Sequence, residues 1–178
     1  MLMPQDILLL IKLLKPENQL LTYQNLGSSL GLTQLDIHAG VKRLRSARLL
    51  RDNGLRPVRL SAKDALIRGV PYFIPAQKSE EMVRGWATAH AAAPLCDLRA
   101  IREAGSSLPV VWADRAGDAI GQEVTPLCPE APYAAQQDRS VFECLALLDA
   151  VRVGNSRERS LAATLLQERV LGEPAFQV

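Results

Sequence analysis

Residues 31–50 read GLTQLDIHAGVKRLRSARLL. Ile37, Val41 and Leu44 recur there at helical spacing. Thr33, with Asp36 three places later, predicts a helix start in which each side chain satisfies the other's backbone N–H. Projected down its axis, such a helix turns Ile37, Val41 and Leu44 inward. Gln34, Leu35, His38, Ala39 and Lys42 fall on one outer strip, with Arg43 and Arg45 beside it. The amino end of that strip has side chains that suit base edges, and its carboxyl end has long cations that suit phosphates. A solvated basic face is the plainer alternative.

Working outward, Pro4 suits the first turn of a helix whose apolar face is Ile7, Leu10, Ile11 and Leu14. Pro16 is expected to stop it at Lys15. Thr22 predicts the cap of a short second helix, YQNLGSSL, with Leu26 and Leu30 inward and Gly31 as its stop. Gly27 within it suits close passage of the third helix. After Leu50 the period changes. LLRDNGLRPVRL predicts two short strands around Asn53-Gly54, with Pro57 confining the second to an edge.

Beyond this segment, Ser61 and Asp64 predict a capped helix over AKDALIR, closed by Gly69. VPYFIP, LPVVWA and GQEVTPL read as short strands, and EMVRGWATAHAAAPL is ambiguous up to Pro94. Two helices close the chain. One spans about Asp138 to Val153 with Val141, Leu145, Leu148 and Val151 inward; the other spans Ser156 to about Val170 with Leu161, Leu165 and Val170 inward. Gly154-Asn155 joins them as a helical hairpin. Phe142, Leu147 and Leu166 extend beyond a narrow stripe and make these helices candidates for a subunit interface.

A chain of 178 residues, 48% hydrophobic and 22% charged, is long enough for a core and unlike a disordered segment. ILLLIKLL is far short of the roughly 18–20 apolar residues of a membrane span. It lacks the features of a signal peptide, so a cytoplasmic protein without a membrane partner is expected. Cys96, Cys128 and Cys144 lack metal spacing and cannot all pair, as fits a reducing compartment. The net charge of +2 conceals a division: residues 1–68 carry eleven Lys or Arg against five acids, net +6, which leaves −4 for residues 69–178. Two modules with different partners are implied.

LTYQNLGSSLGLTQLDIHAGVKRLRSARLL followed by RDNGLRPVRL resembles a winged helix-turn-helix domain of the bacterial MarR-like kind. The residues that carry the likeness are Leu26, Gly27, Leu30-Gly31-Leu32-Thr33, Ile37, Val41, Leu44 and Leu49-Leu50, within residues 4–60. GVPYFIPA, RGWATAHAAAPL and LLDAVRVGNSRER are similar to the back half of small bacterial regulators of this organisation. The joining of a winged helix to a second domain resembles the antitoxins of abortive-infection toxin–antitoxin systems. The expected fold is therefore α+β: a winged helix-turn-helix over 1–60, then a small mixed α/β domain over 61–178 ending in a helical hairpin. The resemblance implies a transcriptional regulator binding double-stranded DNA as a homodimer and repressing its own operon. Winged helices also serve as protein-interaction modules. An antitoxin that neutralises a toxin-like protein from the same operon, and a ligand-sensing regulator, are the alternatives.

The expected DNA contacts are Gln34, Leu35, His38 and Ala39 toward bases and Lys42, Arg43, Arg51, Arg56 and Arg59 toward phosphates, with Thr33 at the helix start and Asn53 at the turn. Arg84, Trp86 and His90 are candidates for a ligand pocket or an interface, against a packed connecting segment. Asp114, Asp118 and Glu123 read as an acidic surface turn rather than acid–base or metal chemistry, and Cys144 as core rather than nucleophile. RAGDAIG lacks the lysine and spacing of a phosphate loop. No enzyme, metal or cofactor is expected.

Overall fold

The computed structural model describes residues 1–15, 21–103 and 108–172. Three helices open the chain: α1 (Pro4–Leu14), α2 (Tyr23–Leu30) and α3 (Gln34–Ser46). Local chemistry sets their ends. Thr22 Oγ1 accepts the Asn25 N–H at 3.1 Å, and Gly31 ends α2 in the left-handed conformation, φ 70°. Thr33 and Asp36 cap each other reciprocally at 3.0 and 3.2 Å. Gly27 lies against the turn into α3, where a Cβ would come within 2.6 Å of the Leu32 carbonyl oxygen. Lys15 is extended, ψ 129°, while Pro16 lies outside the described residues.

Ile37, Val41 and Leu44 are fully buried, as are Leu26 and Leu30. On α1 the expected face is too narrow. Leu8, Leu9 and Leu13 are buried along with Ile7, Leu10, Ile11 and Leu14, because α1 is packed both against α3 and against a helix of the back half.

The two strands expected around Asn53-Gly54 shrink to a single bridge, Leu50 with Pro57. Two backbone bonds flank it, Arg51 N–H to Arg56 O and Val58 N–H to Leu49 O, both 2.9 Å. Pro57 has no N–H with which to extend the ladder, and helix α4 (Arg59–Asp64) begins two residues later. That helix starts earlier than Ser61 would have it, with Val58 at the cap position and no side-chain cap. Nor does Gly69 close it. A π turn, Ala65–Gly69, leads directly into α5 (Val70–Phe73), so VPYFIP is largely helix and not strand. Ala62, Leu66 and Val70 hold this continuous element to the core.

The strand that sequence left ambiguous is the longest: β1 (Lys78–Thr88). A 3₁₀ turn (Ala89–Ala91) follows it, then a second 3₁₀ turn and the one-turn helix α6 (Arg99–Arg102). β1 pairs antiparallel with β2 (Val110–Ala113) and with β3 (Ala119–Val124), and β2 meets β3 in parallel, closing a three-stranded barrel. So tight a closure needs glycine: a Cβ on Gly85 would lie 2.0 Å from Trp112 O, and one on Gly117 would lie 2.1 Å from the backbone of Gly85.

Three helices complete the chain: α7 (Ala131–Gln137), α8 (Arg139–Val153) and α9 (Ser156–Leu171). Asp138 caps α8, and Asn155 with Glu158 caps α9. The apolar residues that marked these helices as an interface are largely internal. Leu147 and Leu166 are fully buried, and Phe142 sets its ring edge-on to Trp112. On α9 the inward residues are Ala162, Leu166 and Val170, with Leu161 and Leu165 half-buried. One apolar cluster runs from Ile7 to Val170, so the front helices share their core with the back half. The whole is α+β. Among the described residues no helix is long and apolar enough to cross a membrane.

Candidate nucleic-acid interface

With one face of α3 buried, its other face is open. Gln34, Leu35, His38 and Lys42 are exposed and Ala39 is half-buried. Leu35 is 81% exposed. The His38 ring stands edge-on to Tyr23 of α2, centroids 5.9 Å apart, which steadies the imidazole. Thr33 is exposed, yet its hydroxyl donates to Asp36 Oδ2 at 2.6 Å and serves the helix cap. That bond holds the Asp36 carboxyl below its ordinary range, so the amino end of the strip carries a fixed negative charge beside Gln34.

The expected phosphate ligands divide into two groups. Lys42, Arg51 and Arg56 are exposed, with Asn53 exposed at the turn between the two arginines. Arg43 and Arg59 are committed elsewhere. Arg43 donates through Nε and Nη2 to both oxygens of Asp6, each at 2.7 Å, and Asp6 is 1% exposed. Arg59 donates to the carbonyls of Val170 and Leu14 at 2.5 and 3.1 Å, satisfying acceptors at the ends of α9 and α1. Both guanidinium groups are held by acceptors within the protein. Arg45 likewise reaches Gly54 O at 2.9 Å and ties the turn to α3. This bond fastens the turn between Arg51 and Arg56 to the last turn of α3. Arg48, exposed and left-handed at φ 59°, adds a cation beyond the end of α3 that spacing alone did not place. A groove of about 350 Å³ between Met1-Leu2 and Lys42, Arg43, Ser46 and Ala47 continues this cationic side.

Arg84 and Trp86 meet at the β2–β3 turn, and His90 lies apart from them. Arg84 donates to Gly117 O at 3.1 Å and Trp86 Nε1 to Asp114 Oδ2 at 3.0 Å. Arg84 and Asp114, with Val83, Ala113 and Arg115, line an open groove of about 470 Å³ at the β2–β3 turn. His90 is buried elsewhere, its Nδ1 3.6 Å from Glu158 Oε1. Asp114 also accepts the Ala116 N–H at 2.8 Å, which lowers its pKa, so this acid of the turn is occupied in shaping it. Burial pushes the Cys144 thiol up to about 11 and the Cys128 thiol up to about 12, far from an activated nucleophile. Among the described residues no three His, Cys, Asp or Glu are grouped to hold a metal ion.

The back half contains one polar centre that spacing did not reveal. Asp149, 1% exposed, accepts from Thr88 Oγ1 at 2.9 Å, Trp112 Nε1 at 2.7 Å and Arg152 Nη1 at 2.8 Å. Arg152 also donates to Ile74 O at 2.9 Å. The one clue was an Asp–Arg pair three residues apart in an apolar helix. Its groups satisfy one another and join α8 to β1 and β2. The two halves also touch at Tyr133 of α7, whose ring lies against Gly31 and whose hydroxyl donates to Ser28 O at 3.3 Å.

No family model, curated protein or solved structure matches the chain.

Proposed function

We propose that the front segment is a winged helix-turn-helix that binds double-stranded DNA, and that the chain acts as a homodimeric transcriptional regulator of its own operon. The observation that carries this reading is the open strip of α3. Gln34, Leu35 and His38 stand at its amino end and Lys42 follows, while the Arg45–Gly54 bond fastens the turn that carries Arg51 and Arg56 to α3. Gln34 suits bidentate pairing with adenine, and Leu35 and Ala39 suit thymine methyls. Lys42, Arg48, Arg51 and Arg56 supply phosphate contacts that position without reading sequence.

Gel-shift titration against the chain's own upstream region tests it. If a dimer makes roughly six to eight phosphate contacts, affinity should fall by about 10³-fold or more between 50 and 200 mM salt. Binding that ignores salt, or no binding at all, refutes the reading.

A protein partner is the second reading. It is favoured by Leu35, whose exposure suits an apolar pocket as well as a groove, and by the −4 charge of residues 69–178. In that reading the chain is an antitoxin for a protein encoded beside it. Co-purification with the neighbouring gene product, lost on Leu35→Glu, would favour it over DNA.

A further inference from the structure

The element running from Arg59 to Phe73 has two faces with the same unusual period. Ala62, Leu66 and Val70 are buried, and Leu60, Asp64, Arg68 and Tyr72 are exposed, each series in steps of four. In a regular α-helix a step of four overshoots one turn by about 40°, so three steps would wind a stripe well round the axis. The π turn at Ala65–Gly69, closed by the Val70 N–H to Ala65 O bond, widens the helix in the middle and takes up part of that drift. The outer series therefore winds less than it would on a regular helix. It is strongly apolar at its ends: Leu60 is 65% exposed, Tyr72 79% and Phe73 87%. Asp64 and Arg68 are its charged centre. Asp64 touches Lys63 at 3.3 Å yet stays 56% exposed.

The order apolar, acid, base, apolar reads as its own complement when reversed about Leu66. We propose that a second copy of this chain packs on this face, helix against helix and antiparallel, with the two-fold axis level with Leu66. Asp64 of each copy then faces the partner's Arg68, and Leu60 faces the partner's Tyr72, each contact occurring twice as two-fold symmetry requires. A parallel pairing would set Asp64 against the partner's Asp64 and is disfavoured. This deepens the DNA reading only in locating its dimer: the helix begins two residues after the bridge at Pro57, so one axis relates both copies of α3.

Light scattering without DNA tests the pairing across micromolar concentrations. The wild-type chain should show twice the monomer mass. Asp64→Arg sets two cations against each other at each of the paired contacts, and Arg68→Asp sets two acids together, so each variant alone should dimerise at least about tenfold more weakly. Mixed in equal amounts, the two variants should recover the dimer, because the cations of one copy then face the acids of the other. Recovery requires both to be folded and cannot come from changes within one helix. A monomeric wild-type chain, undiminished pairing of either variant alone, or no recovery from a mixture with native circular dichroism overturns the proposal. A dimer that fails to shift DNA overturns the DNA reading and leaves the pairing standing. DNA binding by a monomer does the reverse.

Discussion

Arg43 and Asp6, thirty-seven residues apart, are joined by two parallel hydrogen bonds of 2.7 Å across the α1–α3 contact. Sequence spacing placed Arg43 among the phosphate ligands. Its fork is instead filled by a carboxylate that water does not reach, and Asp6 Oδ2 also accepts the Met3 N–H at 2.7 Å. Arg43→Ala would leave that charge buried with one backbone donor. Because the arginine side chain is a third exposed, the expected loss is about 2–4 kcal/mol, below that of a fully buried pair. Urea unfolding measures it. DNA affinity per folded molecule should be unchanged, and a large loss of affinity with native stability would return Arg43 to the binding face.

Gln34→Ala and Arg56→Ala should part company on DNA. Removing the glutamine should cost about 1–3 kcal/mol on the preferred site and little on random duplex. Removing the arginine should weaken both alike and lower the salt slope by about one. Parallel titrations on specific and random DNA distinguish them. Equal losses for Gln34→Ala on both would mean that α3 reads no bases there.

Asp149→Ala should be among the most damaging single changes. It strips Thr88, Trp112 and Arg152 of their shared acceptor and leaves a guanidinium buried without its carboxylate. About 3–5 kcal/mol is expected. Replacing the pair together, Asp149→Leu with Arg152→Met, should destabilise less than Asp149→Ala alone, because no charge is then stranded. Thermal unfolding of the three chains provides the comparison.

Asp138 makes a pH prediction. Burial pushes its carboxyl up, but hydrogen bonds from Lys12 and Lys15 outweigh this and hold it at about 2. An unfolded aspartate titrates near 3.9. The folded value is the lower one, so the stabilisation is fully present above about pH 4 and disappears as pH falls toward 2. Lys15 is 38% exposed and solvent screens it, so about 1 kcal/mol is expected. The stability difference between wild type and Asp138→Asn, followed from about pH 6 down to pH 2, should shrink by that amount. A constant difference would contradict the assignment.

Where signals are local, sequence was a good guide. Thr22, Gly31 and the Thr33–Asp36 box act within four residues, and each ends a helix as its chemistry predicts. The buried stripe of α3 follows directly from its period. What escaped depends on distant partners. Nothing near Arg59 shows that carbonyls at positions 14 and 170 will meet it. β1 carries Lys78, Glu80, Glu81 and Arg84, poor strand formers, and takes its conformation from two strands that lie later in the chain. Val70 to Phe73 has strand-like composition, yet the buried series Ala62, Leu66 and Val70 draws it into the preceding helix.

Trp86 and Trp112 are the only tryptophans in the chain, and they are paired across β1 and β2. Each donates its indole N–H to an aspartate, one half-exposed at the barrel surface and one sealed inside. Tryptophan emission from this chain therefore comes wholly from the barrel and is silent about α1, α2 and α3. A soluble quencher should reach Trp86 well before Trp112, so the two signals can be separated. Melting followed by emission reports the barrel, while far-ultraviolet dichroism reports mostly the helices. Coincident curves would mean that the shared core from Ile7 to Val170 melts as one cooperative unit, and separated curves would mean that the two halves let go independently.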